Sequence, residues 1–188
     1  MRILLHTCCG PCASACVPRL ASEGHEVAMF FSNSNIDTAA EFEKREGEAC
    51  KLAAADGVAI AVDRYDHEEW LREVAAGFEN EPEKGARCER CFRYSLRRAA
   101  RHAAENGYDA FATSLTVSPH KSSPVVFAAG DAAAEETPGA VFLHEDFKKR
   151  EGFKLSVRRA AALGLYRQSY CGCEFSRRAV AARKENGR

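Results

Sequence analysis

Seven of the nine cysteines fall into three groups: Cys8, Cys9 and Cys12 in "LLHTCCGPCAS", Cys88 and Cys91 in "CERC", and Cys171 and Cys173 in "CGC". A thiolate is a nucleophile and a soft-metal ligand. Closely spaced thiolates on a short loop can aim two sulfurs at one centre. The C-C-x2-C, C-x2-C and C-x-C spacings therefore point to metal or cluster binding by all seven. Cys16 and Cys50 each stand alone within a helix-like stretch, where cysteine is a small apolar packing residue. A structural zinc site takes four ligands. Seven clustered thiols exceed one such site, and one iron–sulfur cubane as well, so the surplus implies a second metal or a redox-active thiol pair beside a cluster. Adjacent Cys8 and Cys9 set a geometric condition. Successive side chains of a regular strand point to opposite faces, so both reach one centre only if the strand has ended, which Gly10-Pro11 permits.

The elements that must position these groups follow from apolar patterning. Strands are expected at residues 2–7, 26–32, 58–62, 110–114 and 140–144. Helices are expected at 12–23, 38–56, 66–77, 90–106, 119–135, 154–163 and 174–184. Asp37 or Thr38 can start the second helix, while Gly57 and Gly107 mark helix ends. Strand–helix alternation argues for an α/β fold, a Rossmann-like parallel sheet of about five strands with helices on both faces. In such sheets ligands gather beyond the carboxyl ends of the strands, which places the first cysteine group on that rim. A phosphate-cradling loop would be glycine-rich there; this one has a single glycine and three thiols.

The 188 residues, 46% hydrophobic and 29% charged, suit one globular α/β domain spanning 1–188 with cysteine-rich loops. No apolar run reaches the length of a membrane span, and Met1–Leu5 lacks the features of a secretory signal. A cytoplasmic location is expected, where thiols stay reduced; the odd cysteine count also fits a disulfide framework poorly. Charge is uneven: 8 Lys/Arg against 16 Asp/Glu in residues 1–85, and 19 against 11 in residues 86–188. A basic half can be the electrostatic footprint of a nucleic acid, or a set of solvated helix faces.

Together with "RCERCFRYSLRRAA", "TSLTVSPHKS", "DFKKREGFKLSV" and "GLYRQSYCGCEFS", the three cysteine groups resemble the cobalamin-independent epoxyqueuosine reductase family, from about Leu4 to Ser176. The resemblance implies a 4Fe-4S cluster with an additional iron nearby, held by Cys8, Cys9, Cys12, Cys88, Cys91, Cys171 and Cys173, and no cobalamin. Some members carry aspartate where this chain has Cys12. The implied substrate is tRNA with epoxyqueuosine at the wobble position, whose epoxide oxygen is removed to leave a cyclopentene. That step takes two electrons and two protons. The electrons come from a redox cofactor fed by an external donor, and an iron with an open position offers Lewis acidity.

Candidate proton donors or substrate contacts are His120, Tyr170 and Asp146. His6 reads equally well as a satisfied core histidine. His120, in Ser118-Pro119-His120-Lys121, is expected at a helix start, where backbone N–H groups attract anions. Phosphate contacts are expected from Arg90, Arg93 and Arg97, which share a helical stripe with Arg101, from Lys121, and from Lys148, Lys149 and Arg150, with Lys154, Arg158 and Arg159 nearby. Tyr94, Tyr166 and Tyr170 are possible stacking partners for a splayed-out base. The competing readings are another iron–sulfur tRNA-modifying enzyme, a zinc-binding nucleic-acid module and a simple thiol oxidoreductase.

Overall fold

The computed structural model describes residues 1–186. Five strands, β1 (Arg2–His6), β2 (Glu26–Phe31), β3 (Ile60–Val62), β4 (Ala110–Thr113) and β5 (Val141–Phe142), form one sheet in the order β3-β2-β1-β4-β5. Every pairing is parallel. Strand order therefore reverses between β1 and β4, where a crevice opens beyond the carboxyl ends.

Among the described residues, seven α-helices accompany the sheet: α1 (Gly10–Ser22), α2 (Ala39–Asp56), α3 (His67–Trp70), α4 (Ala86–Glu105), α5 (Ser123–Glu136), α6 (Gly152–Ala162) and α7 (Glu174–Asn186). Central strands of a covered parallel sheet are apolar on both faces, and β1 shows it: Ile3, Leu4 and Leu5 are wholly buried. Ile3, Leu5, Met29, Phe31 and Ala112 join the core with α1 and α2, while Leu4, Phe30 and Phe111 face the other way, toward α4 and α5. Burying each large side chain stabilises the fold by about 1.5–3 kcal/mol. The Thr38 hydroxyl caps α2 by accepting from Glu41 N–H at 3.2 Å, and Gly57 closes that helix in the left-handed region.

Three expectations are corrected. The helix expected over 66–77 is α3 followed by a π-helical turn, Leu71–Ala75. The Arg90 guanidinium donates to the carbonyls of Val74, at 3.2 Å, and of Glu73, so outside contacts satisfy this turn. The helix expected from Pro119 begins only at Ser123. After β4, Ser114–Val117 forms a 3-10 segment capped by the Thr113 hydroxyl, and Pro119 and His120 follow in a turn, so His120 is not at a helix N-terminus. The last strand shrinks from five residues to Val141–Phe142, since only those two pair with β4.

Candidate metal centre

Local sequence fixes the first thiol group. β1 ends at His6, and α1 begins at Gly10 with Pro11 in its first turn, where a missing N–H costs nothing. A side chain at Gly10 would strike the Glu48 carbonyl oxygen at 2.7 Å, so glycine there lets α1 close on α2. Cys8 and Cys9 therefore lie in the break between strand and helix, and Cys12 follows one turn later. The condition on adjacent cysteines is met: the sulfurs of Cys8, Cys9 and Cys12 all lie within 4.8 Å of one another. Ser114, just past β4, binds Cys8 twice, accepting from its N–H at 3.0 Å and donating to its sulfur at 3.3 Å. The switch point of the sheet thus holds the triad from both sides.

The second group rides on the first two turns of α4. Cys88 sulfur accepts from Lys84 N–H at 3.2 Å. The third lies in the loop before α7, where Gly172 has φ 146° and a side chain would meet Asn35 Nδ2 at 2.8 Å. Only glycine fits so tight a turn between two cysteines. Buried Arg45 of α2 anchors this loop by donating to the carbonyls of Cys171 at 2.9 Å and Tyr170 at 3.5 Å, while pairing with Glu41 at 2.7 Å.

All seven cysteines line one cavity of about 430 Å³, and all nine are free thiols. Cys16 and Cys50 are not among its lining residues; Cys16 is buried in the core. Within the triad, hydrogen bonds from Cys12 and Cys8 hold the Cys9 thiol well below its ordinary range. Cys12 is pushed well up because it donates to Cys8 and Cys9. Burial raises Cys91 strongly, against the pull of the Trp70 indole, and raises Cys173 to about 12. Lys121 lies among the sulfurs. Burial opposes its charge, yet the field of Cys171, Cys8, Cys12 and Cys9 raises its pKa overall. Seven convergent thiols with a compensating lysine fit a thiolate-ligated iron–sulfur centre.

The other expected residues divide. His6, His120, Lys121 and Tyr170 line the cavity. His6 is also a satisfied core residue: Nε2–H donates to the Ser32 carbonyl at 3.2 Å, and Nδ1 pairs with the Thr113 hydroxyl at 2.9 Å. The Tyr170 hydroxyl donates to Asp37 at 3.1 Å. Asp146 is not among the lining residues; its carboxylate lies 3.6 Å from Lys148. Lys148 in turn donates to the Lys121 carbonyl at 3.0 Å and the Ser123 hydroxyl at 2.6 Å, tying down the SPHK loop. Arg93 pairs with Glu136 and Arg97 with Glu73, at 2.8 and 2.9 Å, and Arg90 serves the π turn. Lys149 is exposed, as is Arg150, which lies 3.3 Å from Glu23. Tyr94 is buried against Arg98 and Glu69, so it offers no stacking platform. Tyr166 lies under Lys44 at 3.4 Å.

Sequence reasoning missed Trp70, Lys84, Arg167 and Arg183, all of which line the cavity. Arg167 stands inside the quoted "GLYRQSYCGC" stretch, a signal that could have found it; the others carry no local mark.

Fold and site together define a Rossmann-like α/β protein with seven cysteines around one cavity at its switch point. Two solved structures share the fold at low identity. One is a predicted subunit of tRNA methyltransferase from Methanocaldococcus jannaschii (TM-score 0.56, 13% identity, 84% of this chain and 76% of that one). The other is the U34-tRNA thiolase NcsA from Methanococcus maripaludis, solved with its [4Fe-4S] cluster (TM-score 0.54, 12% identity, 99% and 66%). The chain belongs to the family described as epoxyqueuosine reductase QueH, whose model matches residues 3–179. Relatives of that name come from Acinetobacter baylyi (34% identity over 94% of this chain and 81% of the relative), Streptococcus pyogenes (35%, 93% and 69%) and Thermotoga maritima (33%, 93% and 89%).

Proposed function

We propose that this chain is an epoxyqueuosine reductase that acts on tRNA carrying epoxyqueuosine at the wobble position, using an iron–sulfur cluster and an adjacent iron, without cobalamin. The observation that carries this reading is the convergence of three sequence-distant thiol groups on one cavity in a chain of the QueH family. Opening the epoxide to an alkene consumes two electrons and two protons and releases water. When bound, the metal centre supplies electrons singly and Lewis acidity. The seven thiolates would hold it.

The chain's own residues do the rest. Lys121 balances thiolate charge in a site where burial magnifies it. Ser114 and Arg45 fix the first and third thiol groups. A wobble base splayed from its loop enters past His120, which is exposed at the cavity and makes no side-chain hydrogen bond among the described residues. His120 is the proton carrier that best fits this position, because the proton of Tyr170 is committed to Asp37. Exposed Lys84, Arg167 and Arg183 at the cavity meet the flanking phosphates. An external donor supplies the electrons, and the free thiols suit a reducing cytoplasm.

The test is direct. Anaerobic, iron- and sulfide-replete protein with a strong reductant is expected to convert epoxyqueuosine in tRNA to queuosine with no cobalamin added. No conversion by protein with an intact cluster overturns the assignment. Zinc alone, without iron or sulfide, in protein purified anaerobically returns the zinc-module reading.

A further inference from the structure

Directly after β2 the chain reads Ser32-Asn33-Ser34-Asn35, and all four residues are buried. Buried polar side chains are nearly always hydrogen-bonded. The two serines find their partners in the segment after β3. The Ser32 hydroxyl donates to Asp63 at 2.6 Å, and the Ser34 hydroxyl donates to the Arg64 carbonyl at 3.4 Å and accepts from the Asp66 N–H at 3.1 Å. The two asparagines alternate with the serines, as side chains of extended backbone do, and both line the thiol cavity.

Each asparagine stands beside a cysteine group. Asn33 Nδ2 donates to the carbonyl of Thr7, the residue before Cys8, at 2.9 Å, and its Oδ1 accepts no hydrogen bond among the described residues. Asn35 is 8% exposed, and its amide makes no hydrogen bond among the described residues. Its Nδ2 lies against Gly172, between Cys171 and Cys173, only 2.8 Å from where a side chain would begin there. Arg45 comes close to the same glycine, but its guanidinium is spent on Glu41 and on the Tyr170 and Cys171 carbonyls. An apolar side chain of similar size would fill either place without leaving amide groups unpaired.

We propose that Asn33 and Asn35 bind the vicinal hydroxyls of the epoxide-bearing ring and so select that ring at the thiol cavity. The proposal rests on the reading of this cavity as the epoxyqueuosine site. A carboxamide offers a neutral donor and a neutral acceptor, and a hydroxyl answers with one of each. Asn33 has a free acceptor, while Asn35 has both groups free. The carbon atoms that react must lie against the thiols, and the two hydroxyls sit on the same five-membered ring. The deazaguanine is farther off, beyond an aminomethyl linker. The linker amine, when protonated, calls for a carboxylate rather than an amide. A site built to hydrogen-bond substrate hydroxyls discriminates strongly against an analogue that lacks them, because its own polar groups are then left unpaired.

Metal-loaded wild-type protein is first assayed for conversion of epoxyqueuosine in tRNA. No conversion removes the reductase reading, and this subsite with it. With an active wild type, filter binding then compares two tRNAs. One carries the queuosine product, whose ring keeps both hydroxyls; the other carries the same deazaguanine ending at the aminomethyl group, without the ring. Wild-type protein is expected to bind the first about tenfold more tightly, and Asn35→Ala of equal iron and sulfide content to bind both alike by losing affinity for the first only. A preference that survives in Asn35→Ala overturns the proposal and leaves the reductase reading standing. Affinity lost for both tRNAs by the same factor overturns it too, and assigns the amide to the base. If Asn35→Ala does not fold or load, the similarly sized Asn35→Leu takes its place with the same outcomes. Equal affinity of the wild-type protein for the two tRNAs overturns the proposal without any variant.

Discussion

Cys88 and Cys50 are alike in isolation: each is a partly buried thiol on a helix, and burial raises both. Their surroundings separate them. Cys88 lies at the cavity and feels the charge of Cys171, with the Lys84 N–H on its sulfur, whereas the charge that Cys50 feels is Glu46. A thiol contributes to a metal site only through partners aimed at the same point. Cys88→Ala is therefore expected to cut iron and sulfide per chain several-fold after anaerobic reconstitution, while Cys50→Ala leaves both at the wild-type level. Colorimetric iron and sulfide assays on the two variants check this, and an undiminished count in Cys88→Ala excludes that residue as a required ligand. At this scale the sequence was most legible. Cysteine spacing is local, and all seven clustered thiols reached one cavity. What spacing could not show was Trp70, because nothing beside it in the chain marks its packing with Cys91 and Cys173 across the fold.

Between elements, the connections are made by buried charge. Arg45 reaches from α2 to the loop before α7, and its side chain is 1% exposed. Removing one partner of a buried pair leaves the other uncompensated, which costs roughly 3 kcal/mol. Here two loop carbonyls also lose their donor. Arg45→Ala is expected to lower the midpoint of thermal unfolding by several degrees and to weaken iron retention, and Arg45→Lys does not restore either, because a point charge cannot span both carbonyls and Glu41. A calorimetric scan of the three proteins reads this out. A second link joins the end of β3 to α4. Asp63 accepts from Arg98 at 2.6 Å and from Ser32 at 2.6 Å. Burial alone would raise its pKa, but these donors win and hold it below the ordinary 3.8. Below 3.8 the unfolded chain binds the proton more readily, so this stabilisation is complete above that value and is lost as pH falls through the lower folded pKa. Urea unfolding is expected to find Asp63→Asn less stable than wild type at neutral pH, with the gap narrowing as pH falls below 3.8. A gap that is constant with pH rejects the linkage. The long-range pairings explain which elements were legible. β1, β2 and β4 are apolar runs that any reader of period and propensity finds, and Thr38 caps its helix as expected. The π turn after Trp70 and the late start of α5 were hidden, because the side chains that hold them come from afar: Arg90 reaches back to the turn, and Lys148 donates to the Lys121 carbonyl and the Ser123 hydroxyl.

Over the whole molecule, part of the excess of cations in residues 86–188 is paired with carboxylates of distant segments: Arg93 with Glu136, Arg97 with Glu73, Arg98 with Asp63 and Arg159 with Asp56. Composition reported the charge correctly but not its partners, which lie 24 to 103 residues away in sequence. The exposed cations that remain near the cavity are Lys84, Arg167 and Arg183, with Arg183 also 2.9 Å from Glu83. Arg167 stands over the Phe153 ring at 5.1 Å and has no carboxylate within ion-pair reach among the described residues. A tRNA whose wobble base enters the thiol cavity must lay its neighbouring phosphates on this rim. Each phosphate neutralised releases a counterion, so tRNA affinity is expected to fall linearly with salt on a logarithmic plot, by a slope of about 0.7 per contact for a single-stranded loop. Arg167→Ala is expected to flatten that slope by about 0.7, and Arg93→Ala to leave it unchanged. Lys149→Ala tests the second exposed group, which flattens the slope as well only if the tRNA extends beyond the rim to the loop before α6. Filter binding over a salt series measures all three. A slope that Arg167→Ala does not move, with Lys149→Ala flattening it, relocates the tRNA to that loop. A slope flat in the wild-type protein removes phosphate recognition from this surface altogether.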